Sequence, residues 1–531
     1  MFCAFSACAY DYSVQRLFCG VYFSLKKQKI MHTTSKEMQG EDNIASFMLK
    51  QRYPLVLEYV FYFVLFLFVF GAMIPRFGYH WDETLDFCGG GMETYIANGR
   101  WGLYAWKYVF GFGPGTWTAG LLVGLFAAAA VMCQHRILEL KSGISRVIYA
   151  LAFMCLPQTA YSMSYSIQSD AVMFGVFATS LAVYCITQPG WSKGLIAVGL
   201  VALSVGIYQS LALNFVVTVM LAVLVGIIKQ KEGVFSLMCK GVAVLFAAML
   251  IWFSVGKVLD YTITISPFTI EWVRSGQSAM TNHGGIVDLF TLTMYLLHYG
   301  KVVLQTALWP DSYPGELVYA SAIIPVSLLT WYVWTRGKLN GFARLFANAL
   351  LVFLWLSPFL MILVMGNEWP CRPHTRLAEP VVFAALWGMV ISCFLQKSLL
   401  RWVVLLLGVV TVIRGSMHVS HYAAVERAEF ESRLYSLLRM EEEAVVVAHA
   451  NKITPQKGNI LYFRKITDGD NVRYSYADFC GQYPALRFLR YGNRPEEIEM
   501  HREALQTMPS YPQEGSIRVN NGVVIICGDS M

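Results

Sequence analysis

Long stretches of apolar residues recur along this chain, and short polar segments separate them. A helix needs about 20 apolar residues to cross roughly 30 Å of hydrocarbon. Unpaired backbone groups in lipid cost several kcal/mol, so a spanning segment must be a helix or part of a closed barrel. Runs of this length favour helices. They predict about eleven transmembrane helices, near residues 54–75, 114–133, 147–163, 171–188, 194–209, 211–228, 241–259, 317–335, 345–366, 377–395 and 402–418.

The stretch 194–228 is apolar almost throughout and contains one polar interruption, Tyr208-Gln209-Ser210. Its length suits two short helices better than one long helix. A helix break is therefore predicted at these three residues.

The composition agrees with a membrane protein. Of the 531 residues, 56% are hydrophobic and only 14% are charged, and the mean hydropathy is +0.49. One soluble core would not bury that much apolar surface, so the bilayer is the expected solvent. The predicted fold class is an all-α polytopic membrane domain followed by a small C-terminal α+β domain.

Lysine and arginine are concentrated in alternate loops between the predicted spans. The positive-inside rule places these loops and the N-terminus in the cytoplasm. The net charge of +7 then follows from topology and from attraction to anionic inner-leaflet lipid, and it does not indicate a nucleic-acid partner. The basic segments are 26–52, 136–146, 193, 229–240, 336–344 and 397–401.

The remaining segments are predicted to face outward, on the opposite side of the membrane. They comprise loops 76–113, 260–316 and 367–376 together with the tail that begins near residue 419. Because these segments are the long ones, the function is expected on that side. Residues 51–418 thus form the predicted transmembrane domain.

Two further parts of the chain lie outside the predicted membrane domain. Residues 1–50 lack the layout of a cleavable signal peptide and are interpreted as a cytoplasmic N-terminal extension. Residues 419–531 are interpreted as a soluble outward-facing domain, because strands are predicted at 459–463 and 523–526 and a helix is predicted to begin at Pro495.

An acidic patch, Asp82, Glu83 and Asp86, follows the first span directly. If this segment is helical, Asp82 and Asp86 lie one turn apart on one face and could hold an acceptor hydroxyl and remove its proton. The alternative is an ordinary helix start, where acidic side chains are favoured by the helix dipole and Asp82 is a cap. The sequence leaves both interpretations open.

A second acidic candidate is Asp170, which lies at the outward junction of the third and fourth predicted spans. Ionisable residues at membrane depth are costly and are candidates for function. Asp170 could share a pocket with Asp82. Alternatively, it caps the fourth span.

Basic side chains also occur on the predicted outward side, against the positive-inside trend. Arg100 and Lys107 belong to the first loop, and Arg372, His374 and Arg376 belong to the segment 367–376. A phosphate group at the membrane surface would explain these cations through charge-assisted hydrogen bonds, with Arg376 as its main ligand. The alternatives are a salt bridge to Glu368 or Glu379 and contact with lipid headgroups.

Polar and aromatic side chains that suit a sugar accompany these charges. Tyr208 and Gln209 offer hydroxyl and amide groups at the predicted helix break, and Trp81 could stack on a sugar ring. Most tryptophans on this side, including Trp101 and Trp106, are interpreted as an interfacial aromatic belt. The twelve cysteines contain no CxxC pair and no zinc-like Cys/His spacing, so no metal is predicted.

Together, these features resemble a C-type glycosyltransferase, and more narrowly the Gtr type II glucosyltransferases of bacteria and their phages, which modify O-antigen. The acidic first loop, Asp170, the segment 208–210 and an outward tail contribute to the resemblance. The tail motifs Met508-Pro509-Ser510-Tyr511-Pro512, Gly515-Ser516-Ile517 and Gly522-Val523-Val524 are similar to the C-terminal ends of those proteins.

The resemblance implies transfer of glucose from a polyprenyl-phosphate donor to a lipopolysaccharide O-antigen hydroxyl in the periplasm. It implies that Asp82 or Glu83 is the general base and that Arg376 stabilises the leaving lipid phosphate. It implies no cofactor or divalent metal, and it implies a flippase and a lipid-sugar synthase as partners. The alternative is a transporter or flippase for a lipid-linked or anionic solute, although the ionisable candidates lie at span ends and not at mid-bilayer.

Overall fold

A computed structural model describes part of the chain in two contact units, residues 1–60 and residues 61–531. Of the first unit it describes only the beginning of one helix. The described residues are 42–70, 95–96, 99–110, 116–156, 159, 166–264, 322–335, 339–357, 377–394, 435, 439–440, 442–454, 459–468, 471–479, 489–492 and 495–528.

Apolar α-helices make up most of the described residues before residue 395. The predicted spans between 54–75 and 377–395 each overlap one of them, whereas 402–418 lies outside the described residues. The helices are α1 Asp42–Phe70, α2 Trp101–Phe110, α3 Thr116–Ile137, α4 Gly143–Cys155, α5 Ser166–Ile186, α6 Trp191–Ile207, α7 Leu211–Ile228, α8 Val234–Thr264, α9 Ile323–Thr335, α10 Gly341–Leu356 and α11 Ala378–Phe394.

Four of these helices contain segments long and apolar enough to cross a membrane. The segments are Thr118–Ile137, Gln168–Ile186, Leu211–Ile228 and Val234–Leu259. Shorter apolar helices of 10–17 residues accompany them among the described residues. The chain is therefore a mainly helical membrane protein, and the number of eleven spans stays a prediction.

The predicted break between two short helices is confirmed. Helix α6 ends at Ile207 and α7 begins at Leu211. Tyr208 leaves the helix in an extended conformation with φ −153°, while its N–H still donates to the carbonyl of Ser204. The polar residues at 208–210 thus form a tight turn at one end of the bundle, which we call the Tyr208 end.

The opposite end of the bundle joins two of the predicted basic loops. Glu139 follows α3 and lies in an ion pair with Lys229, 2.8 Å between Nζ and Oε2, and in a second with Lys231. Both lysines follow α7. The loops after α3 and α7 therefore lie on the same side, as the alternation of charge predicted.

Helix α5 is central to the described bundle and packs against α3, α6 and α7. Small residues allow this close packing, since Ala171, Ala178 and Ala182 are all completely buried. Helix α8 is much more exposed than α5, because only 17% of its spanning window is buried. Helix α5 is therefore the central element against which α3, α6 and α7 are positioned.

The described C-terminal residues contain a five-stranded sheet with strand order β3-β2-β1-β5-β4. Strands β1 and β5 are parallel, and the other neighbouring pairs are antiparallel. The strands and the associated helix are β1 Ile460–Asp468, β2 Asn471–Phe479, β3 Leu489–Gly492, α12 Pro495–Thr507, β4 Ile517–Asn520 and β5 Val523–Gly528.

Alternating side chains of β1 fill two separate cores on the two faces of this sheet. Tyr462 packs with Met440 and Ala444 on one face, whereas Phe463 packs with Leu505 and Met508 on the other. This alternation follows from the two-residue period of a strand. The boundaries of the transmembrane domain, 51–418, and of the C-terminal domain, 419–531, stay predictions. The cellular compartment of the C-terminal domain also stays a prediction.

Candidate functional site

The short helix α2 begins at a turn that its sequence specifies. Gly99 has φ +72°, a conformation that favours glycine because it has no Cβ. The next residue, Arg100, accepts the N–H groups of Leu103 and Tyr104 at its carbonyl and so starts the helix. The turn therefore fixes the backbone of Arg100, one of the predicted phosphate ligands.

Helix α2 crosses the end of α6 at a contact between two glycines. A Cβ added to Gly102 would lie 2.7 Å from both the carbonyl carbon of Gly206 and the carbonyl oxygen of Leu203. A Cβ at Gly206 would lie 2.8 Å from the ring of Trp101. Only glycine at both positions permits this separation of the two backbones.

Two tryptophans connect the start of α2 to α8 by reciprocal hydrogen bonds. Trp101 Nε1 donates to the carbonyl of Trp252 over 3.3 Å. Trp252 Nε1 donates back to the carbonyl of Gly99 over 2.9 Å. Because the bonds flank Arg100 on both sides, they restrict its main chain strongly.

The side chain of Arg100 lies over the ring of Tyr208. The guanidinium carbon is 4.6 Å from the ring centre, within the range of a cation–π interaction. Tyr208 is only 5% exposed, and the Arg100 Nε–H has no hydrogen-bond acceptor among the described residues. A predicted phosphate ligand and a predicted sugar ligand thus lie in direct contact.

Asp170 lies on α5 and is almost fully buried, with 3% exposure. Its Oδ2 accepts a hydrogen bond from Trp106 Nε1 over 2.8 Å, and its Oδ1 pairs with Lys107 Nζ over 3.2 Å. Helix α5 begins at Ser166, so Asp170 lies within the helix and does not cap it. The carboxylate instead holds α2 against α5.

Aromatic packing surrounds this ion pair. The ring of Trp106 lies 4.3 Å from that of Phe110 and 4.6 Å from that of Phe174, measured between centroids. Phe126 contacts both Trp106 and Phe174. Exclusion of water by these rings strengthens the attraction between Lys107 and Asp170.

The structure describes Arg100, Asp170, Tyr208 and Gln209 among the predicted site residues, and it places all four on segments that meet near the Tyr208 end. The contacts of α2 with α5 and α6 bring them there. The other candidates lie outside the described residues: Trp81, Asp82, Glu83, Asp86, Arg372, His374 and Arg376.

Two residues of this cluster have roles that differ from their interpretation from sequence. By sequence, Lys107 is one of several outward cations and Trp106 belongs to the interfacial belt. Both are buried, at 5% and 9% exposure, and both bind Asp170. Their adjacent positions on α2 offered no sequence signal for a partner 63–64 residues away.

The first outward segment is not all loop, since α2 lies within the predicted loop 76–113. At the start of α11, Glu379 is completely buried and lies three residues after the end of the segment 367–376. Within the described part of the chain, no group of three or more His, Cys, Asp or Glu side chains could hold a metal ion.

Residues 71–392 match the glucosyl transferase GtrII family, which is more than half of the 531-residue chain. The chain belongs to the GtrII family. No curated protein and no solved structure matches it. The predicted resemblance to the Gtr type II enzymes is therefore confirmed at the level of the family.

Membership of the GtrII family makes the chain a membrane-associated glycosyltransferase. The matched range contains the acidic patch, the Arg100–Tyr208 contact, Asp170 and Arg376. It ends within α11, so the C-terminal sheet lies beyond it. The family assignment thus applies to the part of the chain that contains helices α2 to α11.

Proposed function

We propose that this GtrII protein transfers glucose from a polyprenyl-phosphate donor to a hydroxyl of a lipopolysaccharide O-antigen acceptor. The reaction takes place on the periplasmic side of the bacterial inner membrane, to which the Tyr208 end is assigned. The contact between Arg100 and Tyr208 carries the proposal, because it joins a cation for phosphate to an aromatic ring for sugar.

The proposed reaction is a single displacement at the anomeric carbon. The acceptor oxygen attacks this carbon while its bond to the phosphate oxygen of the donor breaks. Asp82 or Glu83 takes the proton of the acceptor hydroxyl, and Asp86 helps to hold that hydroxyl. Polyprenyl phosphate leaves with the bonding electrons, and nearby cations stabilise its negative charge.

Arg100 is proposed to act with Arg372, His374 and Arg376 on the donor phosphate. An arginine guanidinium offers a planar set of donors to phosphate oxygens. No carboxylate pairs with it among the described residues. Tyr208, Gln209 and Trp81 are proposed to contact the sugar.

The contacts of Asp170 favour a positioning role over the catalytic role that its sequence position suggested. Both carboxylate oxygens already accept from side chains of α2. A general base needs an oxygen within reach of the proton it removes. We therefore assign Asp170 to the support of α2 and assign base catalysis to the acidic patch.

The deciding experiment incubates membranes that contain the full chain with radiolabelled polyprenyl-phosphate-glucose and an O-polysaccharide acceptor. Label is expected in the polysaccharide, and membranes that lack the protein provide the control. Absence of transfer with every polyprenyl-phosphate sugar tested would reject the proposal and favour the transporter. A transporter would instead move the labelled donor across the vesicle membrane without forming labelled polysaccharide.

A further inference from the structure

Five polar residues form a connected group inside the helical bundle, below the turn at 208–210. We call this group the polar seam, and it comprises Gln134 of α3, Thr179 and Ser180 of α5, and Asn214 and Thr218 of α7. All five are at most 1% exposed. Polar side chains in such a position require hydrogen-bond partners.

The hydroxyl protons of the seam are already used by helix carbonyls. Ser180 Oγ donates to the carbonyl of Val176 over 2.8 Å, and Thr179 Oγ1 donates to that of Gly175 over 2.9 Å. Thr218 Oγ1 donates to the carbonyl of Asn214 over 2.8 Å. Each hydroxyl has one proton, so towards the other side chains these oxygens only accept.

This arrangement fixes the orientation of both amides. The NH₂ group of Gln134 donates to Ser180 Oγ over 2.8 Å and to Thr218 Oγ1 over 3.2 Å. The NH₂ group of Asn214 donates to Thr179 Oγ1 over 2.7 Å. Rotating either amide by 180° would place an oxygen against a hydroxyl, which could donate to it only by giving up its bond to a helix carbonyl.

Two amide oxygens consequently lack a donor among the described residues, Gln134 Oε1 and Asn214 Oδ1. A buried acceptor without a donor costs the full desolvation energy of the carbonyl group. Ordered water is the usual partner of such groups in protein interiors. A cation is disfavoured, because the seam contains amide protons and no carboxylate.

We infer that the polar seam binds ordered water at Gln134 Oε1 and at Asn214 Oδ1. Water at each of the two positions donates to the amide oxygen there and so completes the hydrogen bonding of the seam. Asn214 lies four residues after Ser210 and therefore on the same face of α7 as the turn. The hydrated seam thus begins about one helical turn below Ser210.

The test is a high-resolution structure of the full chain in a lipid nanodisc, with ordered water visible elsewhere in the protein. Density within hydrogen-bonding distance of both amide oxygens is expected. Asn214→Leu should remove the density at position 214 and leave that at Gln134. Ser357→Ala is the control, because the buried Ser357 hydroxyl donates to the carbonyl of Leu354 at the end of α10 and lies outside the seam.

A dry seam, with no density at either amide oxygen, would overturn the inference, and so would density at position 214 that persists in Asn214→Leu. Thermal unfolding adds a measurement that does not depend on map quality. Asn214→Leu and Gln134→Met should each lower the midpoint of thermal unfolding by about 1–2 °C. An unchanged or raised midpoint in both variants would indicate that the wild-type oxygens are dry.

Discussion

The guanidinium group of Arg100 lies 4.6 Å above the centre of the Tyr208 ring, although the two residues belong to helical segments far apart in sequence. Contact with the ring holds the cation in place and leaves its donors directed elsewhere. An anionic group that binds there would find a cation whose conformation is already restricted.

Replacement of Arg100 by lysine should weaken use of the lipid donor while retaining the charge. Loss of planar stacking corresponds to roughly 0.5–2 kcal/mol, which is about a 2–30-fold fall in kcat/KM for the donor. Tyr208→Phe retains the ring and is the matched control for the stack, whereas Tyr208→Leu should behave like the lysine variant. Equal donor kinetics in Arg100→Lys and wild type would reject the phosphate role of Arg100.

Removal of the carboxylate charge in the acidic patch should abolish sugar transfer without loss of membrane insertion. We expect this for Asp82→Asn or for Glu83→Gln, because only one of the two acids needs to be the base. The measurement is label transfer per amount of inserted protein. Full activity in both variants would eliminate both acids as the base.

Asp170 and Lys107 should show strong coupling in a double-mutant cycle. Asp170→Leu alone leaves a buried lysine without its counter-charge and should destabilise the protein by about 3–5 kcal/mol. The double variant Asp170→Leu/Lys107→Met removes both charges and should recover most of the lost stability in thermal unfolding.

The same double variant separates the two roles considered for Asp170. If Asp170 only positions α2, transfer activity should return together with stability in the double variant. A folded and stable double variant that transfers no sugar would instead restore the original hypothesis of a catalytic Asp170.

An alanine at Gly102 should displace α2 from α6. Its Cβ would lie within 2.8 Å of backbone atoms of Gly206, Leu203 and Ile207, and backbone cannot move aside cheaply. A cost of about 1–3 kcal/mol is expected. Gly199→Ala is the control, because nothing lies within 4 Å of its added Cβ and helix propensity favours alanine by roughly 0.5–1 kcal/mol. Similar stability of the two variants would show that the glycine contact is dispensable.

Acid should weaken the junction between the loops after α3 and α7. Burial alone would raise the pKa of Glu139, but hydrogen bonds and charge from Lys229 and Lys231 outweigh it, and its pKa is lowered below the ordinary value of 4.5. The ionised Glu139 carboxylate therefore stabilises the fold at pH values above its ordinary pKa. This stabilisation disappears as the pH falls through the lowered pKa.

Thermal unfolding of wild type and Glu139→Gln, measured from about pH 7 down to about pH 3, tests this linkage. The difference in stability between the two proteins should be constant near neutrality and should shrink in the acid range. Glu232, which neighbours Lys231 on the same loop, supplies Glu232→Gln as the control. A difference that is independent of pH would contradict the role of the Glu139 carboxylate.

Local sequence predicted those features that depend on nearby residues. Apolar runs identified the helices, and the polar residues at 208–210 identified the break between α6 and α7, because each signal lies within the segment that it describes. Helix α2 escaped this criterion, since its 10 residues are too few to cross a bilayer.

The contacts of the site could not be predicted in this way. Periodicity indicates which face of a helix is apolar, but it does not indicate which helix covers that face. The pairing of Asp170 with Lys107, and the stacking of Arg100 on Tyr208, depend on how α2 crosses α5 and α6. That crossing is permitted by Gly102 and Gly206, and glycine is too common in apolar membrane helices for either residue to single out one crossing.

The reciprocal bonds between Trp101 and Trp252 also determine when the site can form during synthesis. The two residues are 151 positions apart, and Arg100 acquires its fixed backbone only after Trp252 has emerged. At translation rates of about 5–20 residues per second, roughly 8–30 s separate the synthesis of Trp101 from that of Trp252. During that interval the growing chain is already anchored in the membrane. The basic side chain of Arg100 then lacks the contacts that later restrain it.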